Sequence, residues 1–148
     1  MTLAVAVSAG RVSLPIPVAR VRAVATAVLA AEGVRTALIS VAFVSARAIT
    51  ELNRNHLGVN GPTDVIAFSL QRSGRGAPLI GDIYIAPAVA RLHARQHGVT
   101  EREEAVRLVV HGVLHVVGHD HPGGAGRVAS RMWRRQELLV RRLASPSR

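Results

Sequence analysis

The chain contains no cysteine, no lysine and very few aromatic side chains. Without cysteine it can form neither disulfide bridges nor thiolate metal sites, and this composition is compatible with the cytosol. One Trp, one Tyr and two Phe are too few for the base-stacking platforms that single-strand nucleic-acid binders use. Arg11, Arg20 and Arg22 interrupt the apolar N-terminal residues, so we predict neither a signal peptide nor a membrane span. These absences favour a cytoplasmic protein with no membrane or disulfide partner.

Positive charge is what the chain has in excess. All 19 basic residues are arginines, and the formal net charge at pH 7 is +10. This balance points to a polyanionic partner, although a genome biased toward arginine codons would produce the same count. Hydrophobic residues make up 49% of the chain, so valine, leucine, isoleucine and alanine must build the core. A chain of 148 residues can bury roughly 70% of the surface that it exposes when unfolded, which predicts one domain over residues 1–148.

The most specific motif lies at the end of a predicted helix over residues 100–117. A threonine stands at the N-cap position, acidic residues follow in the first turn, and apolar residues fill most later positions. His111 and His115 are four residues apart, so a helix projects both imidazoles from one face, where they can bind one ion. Gly118 can adopt the left-handed conformation that ends a helix, after which the chain can bring His121 to the same ion.

Three imidazoles with a fourth position open to water are typical of a catalytic zinc site. Zinc lowers the pKa of its bound water to about 7, so we expect a hydrolase. Metalloproteases use the same spacing but place a glutamate directly after the first histidine as general base, and this chain has Gly112 there. Asp120 stands beside His121 and suits a role in orienting an imidazole through its N–H group, or it merely caps the turn.

The histidine motif resembles the signature of the YbeY family, which are single-domain bacterial metal-dependent endoribonucleases. Two further segments resemble family motifs and occur in the same order along the chain. The matching stretches are His111-Gly-x-Leu-His115-x-x-Gly118-x-Asp120-His121, Pro62-Thr63-Asp64-Val65-Ile66-Ala67-Phe68 and Gly81-Asp82-Ile83-Tyr84-Ile85, with Leu52-Asn53 just ahead of them. The resemblance runs from about residue 50 to residue 121, and the histidine motif is its most specific part.

This resemblance implies the fold, the cofactor and the substrate. The expected fold is α+β, with a small mixed β-sheet of about four strands packed with about five helices, one of them a zincin-like metal helix. The resemblance also implies one Zn²⁺ per chain, held by His111, His115 and His121. It implies a single-strand-specific endoribonuclease that acts in ribosomal RNA maturation and ribosome quality control, with ribosomal RNA, the small ribosomal subunit and ribosome-assembly proteins as partners.

Two positions depart from the family pattern. Family members commonly have a tyrosine where this chain has His119, which places a fourth imidazole near the predicted metal ligands. They also commonly carry an arginine where this chain has Leu57, and such an arginine would hold or stabilise phosphate. Arg54 is close enough in sequence to be a substitute for that arginine.

The C-terminal residues from Gly126 to Ala144 predict an amphipathic helix. At 100° per residue its apolar side chains fall on one side, namely Val128, Met132, Trp133, Leu139, Val140 and Leu143. The opposite side carries Arg127, Arg131, Arg134, Arg135, Arg141 and Arg142. Guanidinium groups bind phosphate in a bidentate fashion, so we predict RNA contacts at Arg127, Arg131 and Arg134. An acidic protein or a membrane surface could use the same face.

The remaining elements follow from local patterns. Apolar and β-branched runs predict strands near residues 3–7, 37–43, 64–69 and 80–86. Helices are predicted from about 17 to 32, from a cap at Ser45 to about 55, and from Pro87 to about 97, and Thr100 is the predicted cap of the metal helix.

Other polar residues are interpreted as structural. His93 and His97 are four apart but no third ligand follows them at a suitable spacing, so both are predicted to lie on the surface. Asp64 and Asp82 are interpreted as a turn cap and a strand irregularity. The resemblance implies that they shape the cleft, and neither is assigned a role in proton transfer. The acidic residues of the metal helix, Glu101, Glu103 and Glu104, complement its dipole. The resulting hypothesis is a zinc-dependent endoribonuclease. The alternatives are a metallopeptidase-like hydrolase and a non-catalytic, metal-stabilised ribosome-assembly factor.

Overall fold

A computed structural model describes residues 2–70, 74, 76–119 and 130–144. These residues form four strands and five α-helices, as the α+β prediction required. In chain order they are β1 Thr2–Ser8, α1 Val18–Ala31, β2 Thr36–Phe43, α2 Ala46–Leu52, β3 Val65–Leu70, β4 Leu79–Ile85, α3 Pro87–His97, α4 Glu101–Val117 and α5 Arg131–Leu143. No helix within these ranges is long and apolar enough to span a membrane.

The strands form one mixed sheet in the order β1-β2-β4-β3. β1 pairs parallel with β2 and β2 pairs parallel with β4, whereas β3 runs antiparallel to β4 at the edge. Residues of β2 alternate between buried and more exposed positions, which is the period-two pattern of a sheet with one covered face. The main core lies between this face and helices α1, α4 and α5, and a smaller cluster packs α2 against β3.

Helix α4 crosses the sheet at very short range. A Cβ atom added to Gly112 would lie 2.7 Å from Cγ2 of Ile83, and one added to Gly81 would lie 2.4 Å from Cγ1 of Val116. Both glycines therefore permit a contact that no other residue would allow without a shift. Because α4 packs this closely, the histidines in its second half are placed directly against the core.

Most local predictions are confirmed. Ser45 caps α2 through a hydrogen bond from the N–H of Ala48, and Thr100 caps α4 through a bond from the N–H of Glu103. Pro87 occupies the first turn of α3. The predicted helix after Ser45 ends as an α-helix at Leu52 and continues as one π-helical turn over Asn53–Leu57.

The start of the C-terminal helix was predicted wrongly. Helix α5 begins at Arg131 rather than near Gly126, because Ser130 is extended and its hydroxyl caps the helix by accepting a hydrogen bond from the N–H of Trp133. A serine offers the backbone this alternative to continued helix, whereas amphipathic periodicity gives no sign of it. Arg127 and Val128, which the longer helix would have included, lie outside the described residues.

Candidate functional site

The two histidines of α4 lie side by side at the edge of the core. His111 is buried, with a relative exposure of 9%, and His115 is half-buried one turn further along. Their ring centroids are 6.2 Å apart and the ring planes are inclined by 53°. Two imidazoles at this separation on one helical face can supply nitrogen ligands to a single ion.

A hydrogen-bonded chain from α5 fixes the ring of His111. The side-chain oxygen of buried Gln136 lies 2.7 Å from Nδ1 of His111, and the Gln136 amide nitrogen donates to Glu137 at 3.1 Å. An amide oxygen only accepts, so Nδ1 of His111 carries the proton and donates it. The proton on Nδ1 leaves Nε2 in the deprotonated form in which imidazole binds metal.

Arg107 lies at the end of this series of hydrogen bonds and binds three carboxylates. Its guanidinium donates to Glu137 at 2.9 and 3.0 Å, to Glu104 at 3.1 Å and to Glu103 at 3.2 Å. Burial raises the pKa of Glu137, but hydrogen bonds from Arg107 and Gln136 outweigh that effect and leave the pKa below its usual value. The hydrogen bonds that Arg107 donates to Glu137 raise the pKa of Arg107 above its usual value despite its partial burial. Glu137 and Arg107 therefore both stay charged, next to the Gln136 side chain that holds His111.

A cavity of about 760 Å³ opens beside His111. It is lined by residues of α4 and α5 that belong to these hydrogen bonds, by residues of α3 and by the segment before β3. Its polar lining includes Asp64, His93, Glu104, Arg107, His111 and Gln136. The cavity is therefore a candidate substrate cleft, with His111 of α4 in its wall.

Three cavity residues could hold a metal ion together. Asp64, His93 and Glu104 each offer a ligand atom, and these atoms lie within 4.8 Å of one another. Nδ1 of His93 lies 2.8 Å from Oδ2 of Asp64. Burial raises the pKa of Glu104 and outweighs the hydrogen bond and charge of Arg107, which act in the opposite direction.

His93 is less exposed than the sequence predicts. Its side chain is 35% exposed and is bonded to Asp64, whereas His97 is exposed as predicted. Asp64 is a partner of His93 and not merely a turn cap, and Glu104 is 4% exposed. The three residues come from the segment just before β3, from α3 and from α4, so spacing in the sequence could not reveal that they meet.

His119 is held by a carboxylate outside the cavity lining. Its Nε2 lies 2.5 Å from one oxygen of Glu32, and Arg135 donates to the other oxygen at 2.8 Å. Burial raises the pKa of Glu32, but the bonds from Arg135 and His119 outweigh it and bring the pKa below the usual value. Glu32 thus joins the end of α1 to residues on both sides of segment 120–129.

The other predicted site residues are spread more widely. His121, Asp120 and Arg127 lie outside the described residues. Arg131 and Arg134 are exposed on α5, and Arg54 is exposed on the π-helical turn, outside the cavity lining. Arg135, which was predicted to lie on the free basic face, is instead half-buried and bonded to Glu32. Gln136 was missed by the sequence analysis, although a buried glutamine on the apolar side of an amphipathic helix is a recognisable signal.

Comparisons with known proteins place the chain in one family. The family model described as endoribonuclease YbeY matches residues 13–144. An endoribonuclease YbeY from Moorella thermoacetica is 40% identical over 124 residues, covering 77% of this chain and 78% of that protein. One from Pelotomaculum thermopropionicum is 38% identical over 122 residues, covering 78% and 79%.

A solved structure resembles the fold as a whole. The solution structure of a Thermotoga maritima protein is 26% identical to this chain, with a TM-score of 0.63, and covers 94% of this chain and 88% of its own. The family match extends over nearly the whole α+β domain, including the cleft and its histidine-bearing helix. The chain therefore belongs to the endoribonuclease YbeY family.

Proposed function

We propose that this protein is a zinc-dependent, single-strand-specific endoribonuclease that acts in the cytoplasm on ribosomal RNA, during maturation and quality control of the small ribosomal subunit. Family membership supports the reaction, since the matching relatives are named endoribonucleases. The observation that carries the metal assignment is the bond between His111 and Gln136, because it prepares the Nε2 atom of a buried imidazole for an ion.

The proposed ligands are His111, His115 and His121, with one Zn²⁺ per chain and Asp120 orienting a ligand imidazole. The residues present fit such an ion. Neutral imidazoles are preferred zinc ligands, and the acceptor for Nδ1 of His111 is already in place. Zinc bound here would supply a Lewis acid and a water of lowered pKa for attack on a phosphodiester.

The arginines of the chain supply the proposed RNA contacts. Arg131 and Arg134 are exposed on α5, whose residues Trp133, Gln136 and Glu137 line the cleft. With a formal charge of +10, the protein attracts RNA at long range, and these two side chains can bind its phosphates near the cleft. Arg54 and Arg127 are the further proposed contacts.

A metallopeptidase is the alternative that the packing disfavours. Its general base would have to replace Gly112, yet a Cβ atom at that position already lies 2.7 Å from Cγ2 of Ile83. Any side chain there would point into the buried sheet and not toward a substrate. The proposed hydrolase therefore cannot use a glutamate general base at position 112, as metalloproteases do.

The test compares the zinc-loaded protein with a His115→Ala variant that is purified identically and shown to be folded by circular dichroism. The substrate is a structured ribosomal RNA fragment with single-stranded loops. We expect cleavage by the unsubstituted protein and its loss in the variant. Equal cleavage by both would indicate a contaminating nuclease. Tight RNA binding without cleavage under any metal would favour a non-catalytic assembly factor.

A further inference from the structure

We propose that Asp64 and His93 form a proton-transfer pair for RNA cleavage in this cleft. This inference rests on the proposed endoribonuclease function and adds to it the base that the histidine motif lacks. Neither residue belongs to the proposed ligand set, and the two come from elements that are distant in the sequence.

The geometry of the pair fixes which imidazole atom can react. Oδ2 of Asp64 is a carboxylate oxygen that lies 2.8 Å from Nδ1 of His93, so Nδ1 carries a proton and donates the hydrogen bond. The neutral ring then carries its lone pair on Nε2, at the opposite edge, where it can accept a second proton. A carboxylate in this position also stabilises the imidazolium that forms when Nε2 takes that proton.

The two partners are held by separate elements. The carbonyl oxygen of Asp64 accepts a hydrogen bond from the N–H of Ala86 at 2.9 Å, which fixes the backbone just before β3. His93 lies in the second turn of α3, where Pro87 begins the helix. The side chains of Asp64 and His93 are 21% and 35% exposed, so both reach the cleft while most of each is packed.

The other charged and titratable groups around His93 favour proton transfer over a second metal ion. The carboxylate of Glu104 on α4 accepts a hydrogen bond from Arg107 at 3.1 Å. The positive guanidinium would repel a cation bound between Asp64, His93 and Glu104. Asp64 is engaged with His93 itself. His97, whose ring centroid is 6.4 Å from that of His93, adds no negative charge. Glu104 is thus already paired with a positive guanidinium, and Asp64 is already paired with the N–H of His93.

The proposed step conserves atoms and charge. Nε2 of His93 accepts one proton from the attacking water as the water oxygen forms a bond to phosphorus. The bond from phosphorus to the leaving ribose oxygen breaks, and its electron pair remains on that oxygen. The leaving oxygen, on the opposite side of phosphorus, takes a proton from solvent water, and His93 releases its proton to solvent, which restores the neutral imidazole.

The experiment measures the pH dependence of cleavage by the zinc-loaded full chain and by three variants, His93→Gln, Asp64→Asn and His97→Gln. Loss of a general base typically costs 100-fold to 10,000-fold in rate. We therefore expect a loss of about 100-fold or more in His93→Gln, with a flattened pH profile. Asp64→Asn should also be slow, because an amide can hold the ring in the wrong tautomer. His97→Gln is the matched control on the same helix and, although His97 also lines the cleft, it should be impaired far less than His93→Gln.

Two further measurements separate the proposal from a structural role or a second metal site. Each variant is checked by thermal melting and by its bound-metal content, which should both match the parent protein. Free imidazole should restore part of the activity of a His93→Ala variant. A His93→Gln rate equal to that of His97→Gln would overturn the proposal, as would a loss of bound metal in His93→Gln. If the parent and His115→Ala cleave equally, the proposed function itself fails and this inference fails with it.

Discussion

Gln136 is the residue on which the state of His111 depends. A histidine that binds metal commonly donates its second N–H to a carboxylate, a carbonyl or water. Here the acceptor is a neutral amide, 2% exposed, that is itself oriented by Glu137 and through it by Arg107. The uncharged acceptor fixes the tautomer of His111 without placing another negative charge beside Glu137.

Gln136→Leu should weaken zinc binding by about 10-fold to 100-fold, because Nδ1 of His111 would lose its acceptor. Affinity is measured by competition with a chromogenic chelator at constant pH. Gln136→Glu is the control, since a carboxylate can still accept from Nδ1, and it should bind zinc more tightly than Gln136→Leu. Parent-like affinity in Gln136→Leu would show that the ring does not need this partner.

At the scale of the element, helix α4 depends on its close approach to the sheet. Gly112→Ala should lower the free energy of unfolding by about 1–3 kcal/mol, because the new methyl group would overlap Cγ2 of fully buried Ile83. Urea denaturation measures the loss. In a double-mutant cycle with Ile83→Ala, the cost of Gly112→Ala should shrink. An unchanged cost in that background would mean that the overlap is not its cause.

The exposed arginines of α5 should contribute to RNA binding by charge. Replacing Arg131 and Arg134 together by glutamine should weaken RNA binding and reduce the salt dependence of the affinity by about one to two units of log–log slope. Fluorescence anisotropy over a series of salt concentrations measures both quantities. The control with a single charge removed is Arg47→Gln on α2, an exposed position. If each charge removed from α5 weakens RNA binding no more than the charge removed at Arg47, the exposed arginines of α5 are not a specific RNA-binding face.

The elements were predictable from sequence wherever local chemistry decides them. The caps at Ser45 and Thr100 and the first-turn proline of α3 depend on neighbouring residues alone. The pairing of His93 with Asp64, 29 positions away, depends on how α3 packs beside β3. Gln136 meets His111 across 25 positions for the same kind of reason. Residue types and helix faces were therefore accessible, whereas contacts between elements required the fold.

At the scale of the whole molecule, the ionised carboxylates of Glu32 and Glu137 favour the folded state. Their folded pKa values lie below the unfolded value of 4.5, so their contribution is complete above that pH and is lost as pH falls through the lowered folded values. Glu104 acts oppositely, because its raised pKa makes stability decline as pH rises from 4.5 through the folded value. Acid unfolding should therefore be governed mainly by the first two groups.

Glu32→Gln should cost about 1.5–3 kcal/mol at pH 7, since it weakens a charge-assisted bond from Arg135, and the difference from the parent should shrink below pH 4.5. Urea denaturation at pH values from 3 to 7, in steps of about 1 pH unit, measures the cost at each pH. Glu51→Gln, at an exposed pair with Arg47, should change stability by less than about 1 kcal/mol at either pH. A pH-independent cost in Glu32→Gln would exclude the charge as its origin.

Glu32 also bears on residues that it does not touch. Its two carboxylate oxygens bind His119 and Arg135, which stand on either side of segment 120–129, where the proposed ligand His121 lies. With the proposed ligand set, anchoring both flanks would spare part of the chain entropy that bringing His121 to the ion costs. The effective concentration of the third imidazole near the other two would rise in the same way. A single carboxylate at the end of α1 would thus act at a distance on metal affinity, through the entropy of the chain.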